Sequence, residues 1–405
     1  MFPHRLHATP SSGFPVSIGA GPTRSRSPFV LGDIPLDSKR VAYSQDTWAQ
    51  IEEDWHRLSE QADIAFFRSV EWCKTWLEVF GESLGTEIFL TPKTGVPAAA
   101  CLLNHRTDRI IGLIPLRRTY LNTAGEPQGD GTSAEYNGVL VDPQASTESV
   151  ALQFGATLSN LKVDELLAAG LAKNQLGFLR KSLPDWEAEI SWSEDPYVDL
   201  NRIRLNGSSY RKAALSKNSR GQVNRTLNAY GKRGSIETEV AHCAERALEM
   251  LTELKDLHQK TWTRRGQSGA FASENFCLFH EKLIETTFDH QKILMMRVTV
   301  NHEPIGILYS FLDRDRVLFY QSGFQYEDDN RFRPGLATHV CAIEKCLDLG
   351  HSEYHFLAGD DLTPRYKQSL STDHQQLAWV RMIRPSPKNA LLKFSRKLRR
   401  QLIRR

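Results

Sequence analysis

No run of about 18 apolar residues occurs anywhere in the 405-residue chain, which excludes a membrane-spanning helix of the kind hydropathy reveals. Cysteine is sparse and unpatterned. The six, at positions 73, 101, 243, 277, 341 and 346, include no Cys-x-x-Cys pair, which argues against a zinc site or a disulfide framework and for thiols in a reducing compartment. The N-terminus lacks the apolar core of a secretory signal. These absences predict a cytoplasmic globular protein that binds no metal. Single hydrophobic cores stop growing well before this length, so two domains are expected.

Acidic residues are missing from two long segments. Residues 200–236 carry nine Lys or Arg and no acid, and residues 388–405 carry eight more and again none. Removing the eight from the total of 51 leaves 43 basic residues against 48 acidic ones, a mildly acidic body with a basic tail. The first 45 residues, rich in Pro, Ser, Gly and Arg, show no periodicity and read as disordered.

What is present falls into two similar blocks. In the first, a helix starts near Asp46-Thr47 and buries Trp48, Ile51, Trp55 and Leu58, and a second covers 70–80 with Trp72, Trp76 and Phe80 on one face. Strands are expected at 86–90, 98–103 and 109–115. A polar stretch, 122–137, leads to a strand at 138–141, and helices follow at 147–158 and 163–172. A strand at 195–200 joins the blocks. Residues 208–230 read as an exposed basic helix interrupted around Gly221, and 243–264 as an amphipathic helix.

The second block is the clearer one. Strands at 293–300, 305–312 and 317–323 form a meander, and Arg333-Pro-Gly-Leu-Ala337 leads into a helix over 338–349. A short strand at 354–357 is followed by Ala358-Gly-Asp-Asp361 and Tyr366-Lys367. A helix N-terminus offers unpaired N–H groups and the positive end of its dipole, and small residues there let an anion reach the backbone. Gly335, Leu336, Ala337 and Thr338 are therefore candidates to cradle a phosphate, with Arg331 and Arg333 adding charge. An ordinary glycine-containing loop before a helix is the competing reading.

The residues Ile305-Gly-Ile-Leu-Tyr-Ser-Phe, Tyr320-Gln-Ser-Gly-Phe, Pro334-Gly-Leu-Ala, Phe356-Leu-Ala-Gly-Asp and Tyr366-Lys367 resemble the GNAT superfamily, in particular its cellulose-biosynthesis (CelD/BcsL-type) acetyltransferases. Trp72-x-x-x-Trp76, Ile111-Gly-Leu-Ile-Pro-Leu116, Tyr136-Asn-Gly-Val-Leu-Val-Asp142 and Trp262-x-x-Arg265-Gly266 agree, so the resemblance spans about residues 46 to 380. That branch is similar in turn to the Fem-type aminoacyltransferases, which pair two GNAT-like domains. The resemblance implies an α/β fold of mixed sheet with a degenerate unit over 46–190, an acyl-CoA-binding unit over 191–383 and a basic amphipathic tail over 384–405. It implies acetyl-CoA, or another acyl-CoA, as co-substrate. The chain departs from the pattern in having His355 where an acid is usual, and in a longer spacing between Gly359 and Tyr366.

The implied chemistry needs a base for the attacking amine or hydroxyl, an oxyanion site and an acid for the leaving thiolate. Asp360, Glu135 or His355 is the candidate base, and Tyr320 or Tyr366 the candidate acid. Backbone N–H groups of the strand carrying Gln321 and Ser322 are candidates for the oxyanion and the coenzyme. Lys367 is assigned to a phosphate or an anionic acceptor. Glu135, Tyr136, Trp262, Arg265 and Tyr366 are assigned to the acceptor. Two other readings stay open: an aminoacyltransferase that uses charged tRNA, and a non-catalytic scaffold in polysaccharide synthesis. The basic segment 208–233 has little aromatic interleaving, which disfavours nucleic acid. In the tail, Leu391, Phe394, Leu398 and Leu402 share one helical face, which suits peripheral contact with an anionic inner-membrane surface or an unstructured basic terminus.

Overall fold

The computed structural model describes residues 38–393 except 65, 94–95, 111–113, 126–130 and 360–364. The first unit runs β1 (Lys39–Ala42), α1 (Gln45–Glu60), α2 (Val70–Trp76), β2 (Glu87–Lys93), β3 (Val96–Ile110), β4 (Ile114–Leu121), β5 (Leu140–Val141), α3 (Thr147–Asn160), β6 (Glu165–Leu171), α4 (Lys173–Ser182) and β7 (Glu187–Asp199). Three helices follow as a linker: α5 (Leu200–Leu205), α6 (Tyr210–Ala213) and α7 (Lys217–Gly231). The second unit then repeats the first, without an equivalent of β5. It runs β8 (Ile236–Val240), α8 (Ala244–Arg264), α9 (Glu274–Thr287), β9 (Ile293–Val300), β10 (Glu303–Asp313), β11 (Arg316–Phe324), α10 (Pro334–Asp348), β12 (Glu353–His355), α11 (Arg365–Leu370) and β13 (Asp373–Ile383).

All strands join one mixed sheet in the order β1-β2-β3-β4-β6-β13-β7-β12-β11-β10-β9-β8, with β5 beside β3. The order is a palindrome of two tandem GNAT-like units whose last strands are exchanged. β13 of the second unit pairs with β6 of the first, and β7 of the first pairs with β12 of the second. At the centre β7 and β13 pair antiparallel along Glu187–Tyr197 and Asp373–Ile383. Equivalent ion pairs mark the repeat. Arg118 on β4 meets Glu165 on β6 at 2.9 Å, and Arg316 on β11 meets Glu353 on β12 at 3.2 Å, both across parallel register partners.

The units also share a core. Phe66 stacks on Phe311 at 4.2 Å between ring centres, and Trp72 meets Phe279 edge-on at 4.8 Å. Aromatic pairs of this geometry add about 0.5–1.5 kcal/mol each beyond the area they bury. Two glycines set close packing around β11. A Cβ at Gly306 of β10 would lie 2.2 Å from Thr338 Oγ1, and one at Gly323 would lie 2.5 Å from the Leu254 carbonyl oxygen. Their absent side chains let α10 and α8 rest directly on the sheet.

Several expectations change. Residues 163–172 are not a helix. Glu165–Leu171 forms β6, pinned between β4 and β13, so pairing on both edges overrides the helix propensity of Glu, Leu and Ala. The expected strand at 109–115 is divided between the end of β3 and the start of β4. The basic segment breaks between α6 and α7, where Ser216 caps α7, and Gly221 lies inside α7. The expected disordered tail contains β1, whose four residues pair with β2, and Ser44 caps α1. The expected boundary between 190 and 191 falls inside β7. The start of the C-terminal tail is docked rather than free: Leu392 is buried, Lys388 bonds Asp164, and Lys393 bonds Glu187. Phe394, Leu398 and Leu402 lie outside the described residues. Among the described residues no helix is long and apolar enough to cross a membrane.

Candidate active site

The site begins with a register fault. Along β10 and β11, Tyr309 faces Gln321 but Ser310 faces Phe319, so Tyr320 is the extra residue of a bulge. Parallel pairing of β11 with β12 ends at Leu318 and His355, and the next N–H, of Phe356, bonds to Pro196 on β7 instead. β11 and the chain after β12 therefore diverge at the bulge. Tyr320, Gln321 and Ser322 are part-exposed between the buried runs 317–319 and 323–324.

α10 starts beside this opening. It begins at Pro334, four residues earlier than expected, because proline at the first position suits the helix and loses no bond. Its N-cap residue, Arg333, makes no side-chain cap bond, and no other side chain among the described residues caps it, so its first-turn N–H groups keep their donors for a ligand. A Cβ at position 335 would lie 3.4 Å from the Phe324 ring and 3.5 Å from Tyr366 Oη. The residues present fit a phosphate-bearing ligand: an uncapped helix start, a glycine and a phenol at its rim.

The first unit has lost this opening. Its equivalent helix, α3, is capped by Ser146, whose hydroxyl accepts from Ser149 N. Its gap between β4 and β6 is filled by Asn137, which donates through Nδ2 to the Leu121 carbonyl at 2.7 Å, donates through N to Gly170 O at 3.2 Å, and bridges to Leu171. The loop that plugs one unit reaches into the other. Tyr320 Oη donates to Thr132 O at 2.6 Å, and Glu135 accepts from Ala358 N at 2.8 Å and Gly359 N at 2.7 Å.

Glu135 is buried. Burial and the nearby Asp195 charge push its pKa up to about 7, against the pull of the two N–H groups and Lys367. It is thus a carboxylate able to hold and release a proton near neutrality. Lys367 donates from Nζ to Phe356 O at 3.2 Å and lies 5.0 Å above the Phe319 ring. Burial brings its pKa down to about 8, with Glu135 and Asp195 opposing. Glu135 thus holds the chain just after β12, and Lys367 joins that chain to Phe319 of β11.

His355 does not serve as a base. Its Nδ1 is 2.8 Å from Asp195 Oδ2 and its Nε2 2.9 Å from Glu353 Oε2, while Tyr197 stacks on its ring. Burial opposes its charge, but the two carboxylates outweigh that and hold its pKa up to about 9. It is charged at neutral pH with both nitrogens engaged. Tyr136 does not face a ligand either: its hydroxyl donates to Asp195 and Gln375 donates to it.

The other expected residues divide. Gln321, Ser322, Gly335, Leu336 and Tyr366 gather at the opening and the first turn of α10. Ala337 packs against Tyr230 and Phe332, and Thr338 turns its hydroxyl onto Gly306, so neither offers its side chain. Arg331 is committed to Asp329 on the outer loop, and Arg333 bonds Gln222 at 3.0 Å. Trp262 and Arg265 stack at the end of α8. Asp360 lies outside the described residues. Sequence reasoning missed Asp195, Glu353 and Gln375. Asp195 had a signal, an acid in an otherwise strand-like run, and Asn137 stands in the Tyr136-Asn-Gly motif, which does not reveal that it fills the gap of its own unit.

Residues 217–368 match the family described as Acetyltransferase (GNAT) domain, and the second unit is a GNAT-type acyltransferase domain. No curated protein matches the chain at the sequence level. Solved structures of similar fold include FemX (9% identity, 84% of this chain and 96% of that one, TM-score 0.53). Others are a conserved protein of unknown function from Bacteroides thetaiotaomicron (9%, 85% and 99%, TM-score 0.52) and a C-terminal domain (DUF2156) assigned to a lysylphosphatidylglycerol synthetase from Agrobacterium fabrum (9%, 86% and 95%, TM-score 0.51). At such identity the likeness is one of fold.

Proposed function

We propose that the chain transfers an acyl group, acetyl in the simplest case, from a coenzyme A thioester to an amine or hydroxyl acceptor at the opening between β11 and the end of β12. The observation that carries this reading is the bulge at Tyr320 beside the uncapped start of α10. The diphosphate lies at the first turn of α10, and the thioester lies along the part-exposed residues Tyr320 to Ser322, whose N–H groups serve the oxyanion. Glu135, delivered by the first unit, takes the proton of the attacking group. Tyr366, whose pKa burial pushes up, stays protonated beside the cradle and is the acid for the departing sulfur. The motif resemblance supports an acceptor from envelope or exopolysaccharide synthesis, with the basic tail keeping the enzyme near an anionic membrane face.

A tRNA-dependent aminoacyl transfer is the second reading, supported by the fold shared with FemX and by exposed Lys217 and Arg225 on α7. A thermal-shift titration with acetyl-CoA, desulfo-CoA and total tRNA separates them. A saturable rise with the coenzyme ligands supports acyl-CoA transfer. A rise with tRNA alone moves the assignment to aminoacyl transfer, and no response to any of the three leaves a scaffold.

A further inference from the structure

The charge along α8 is unevenly balanced. In its body Arg246 pairs with Glu239 at 2.7 Å and Glu249 at 2.6 Å, and Lys255 with Glu281 at 2.8 Å. At its end Lys260, Arg264 and Arg265 have no carboxylate partner among the described residues. Lys260 and Arg264 stand four apart, a like-charge spacing that destabilises an isolated helix. A helix C-terminus supplies only about half an elementary negative charge, too little to balance three cations.

These three side chains surround a cavity. It has a volume of about 260 Å³ and is closed on the other side by Phe324, Gln325 and Tyr326. Phe324 is also the ring beside Gly335 at the start of α10, so one side chain borders both the cavity and the proposed coenzyme cradle. The walls are positioned rather than loose: Arg265 stacks over Trp262 at 5.4 Å, and Gly323, next to Phe324, has its backbone against Leu254 of α8.

We infer that Lys260, Arg264 and Arg265 form a subsite for a phosphate or diphosphate group. Three convergent cations match a multiply charged oxyanion, and two guanidinium groups supply the paired N–H donors that phosphate oxygens accept. This deepens the acyltransferase reading and rests on it for the origin of the phosphate, which belongs either to the coenzyme, as its 3′-phosphate, or to a phosphorylated acceptor.

The test is isothermal titration of the full chain with coenzyme A, 3′-dephospho-coenzyme A and inorganic pyrophosphate. The wild type is compared with Arg264→Ala/Arg265→Ala and with Lys217→Ala/Arg225→Ala, which removes the same charge from exposed α7. The inference expects the α8 pair, and not the α7 pair, to weaken pyrophosphate binding about tenfold or more. If coenzyme A weakens in parallel but its 3′-dephospho form does not, the phosphate is the coenzyme's. If both coenzyme forms bind unchanged, it is the acceptor's. Equal pyrophosphate affinity in the wild type and both variants overturns the subsite, as does an equal loss from either pair, which means a general field. Arginine-dependent pyrophosphate binding with no coenzyme A binding keeps the subsite and sinks the acyl-CoA reading. The altered side chains are exposed, and a melting curve for each variant confirms that the fold is intact.

Discussion

His355 Nδ1 lies 2.8 Å from Asp195 Oδ2, and the two residues come from different units, on β12 and β7. The same carboxylate oxygen accepts from Tyr136, on the loop that plugs the first unit, and from Gln375 Nε2 at 3.2 Å, on the exchanged strand β13. One buried oxygen thus ties together the exchanged strands, the return strand of the second unit and the loop that carries Glu135.

Removing that carboxylate strands several buried polar groups at once. Asp195→Ala is expected to cost about 3–5 kcal/mol, the range for breaking a buried charge pair. Urea unfolding of the variant measures this. A loss below about 1 kcal/mol, the scale of an exposed pair, contradicts the role given to the network.

The same contact predicts a pH dependence. The folded protein holds the His355 proton up to about pH 9, whereas an unfolded imidazole releases it near pH 6.5. The stabilisation is therefore complete below about pH 6.5 and is lost as pH rises through 9. Two other groups titrate nearby. Glu135, raised to about 7, lowers stability as pH rises from its ordinary range to 7, and Lys367, lowered to about 8, restores some above 8. The difference between wild type and His355→Gln isolates the imidazole. It should fall between about pH 6.5 and 9, and a flat difference curve refutes the charged state.

Catalysis should titrate with Glu135. As a base it is active when ionised, so kcat/KM is expected to rise with pH through about 7. Glu135→Gln should lower kcat/KM about 100-fold or more and abolish that limb, while coenzyme A binding persists. An unchanged pH profile in the variant removes Glu135 from the mechanism.

Much of the second unit was readable because its strands are near-continuous apolar runs bounded by polar turns and its helix carries Pro334-Gly335 at the start. The pattern around β6 was not: Leu166, Leu167, Ala168 and Ala169 suit a helix, and only pairing with β4 and β13 makes them a strand. Lys367 and Glu135 are named from local motifs, and the structure brings them within electrostatic reach of each other. Their partners were hidden because Asp195, Gln375 and His355 meet through an exchange of strands between units, a relationship that no local periodicity encodes.

The capped α3 and the Asn137 plug predict one coenzyme site per chain. Calorimetry with coenzyme A should give one equivalent bound, and Gly335→Glu should abolish it by placing a carboxylate at the helix start. Two equivalents mean that the first unit still binds, and an unaffected Gly335→Glu variant sinks the cradle.

The strand exchange sets how the chain folds. Among the described residues β7 pairs with β12 and β13 alone, and β6 loses one of its two strand neighbours when β13 is absent. A fragment ending at residue 199 therefore exposes an open edge on β6 and leaves β7 without a sheet, the kind of unpaired edge that drives aggregation. Such a fragment should show no cooperative melting alone and should recover it when co-expressed with residues 200–405. The whole chain, by contrast, should unfold in a single transition by near- and far-ultraviolet circular dichroism. An isolated first unit that melts cooperatively would show that the two units are merely adjacent, and that the loop carrying Glu135 is ordered without its neighbour.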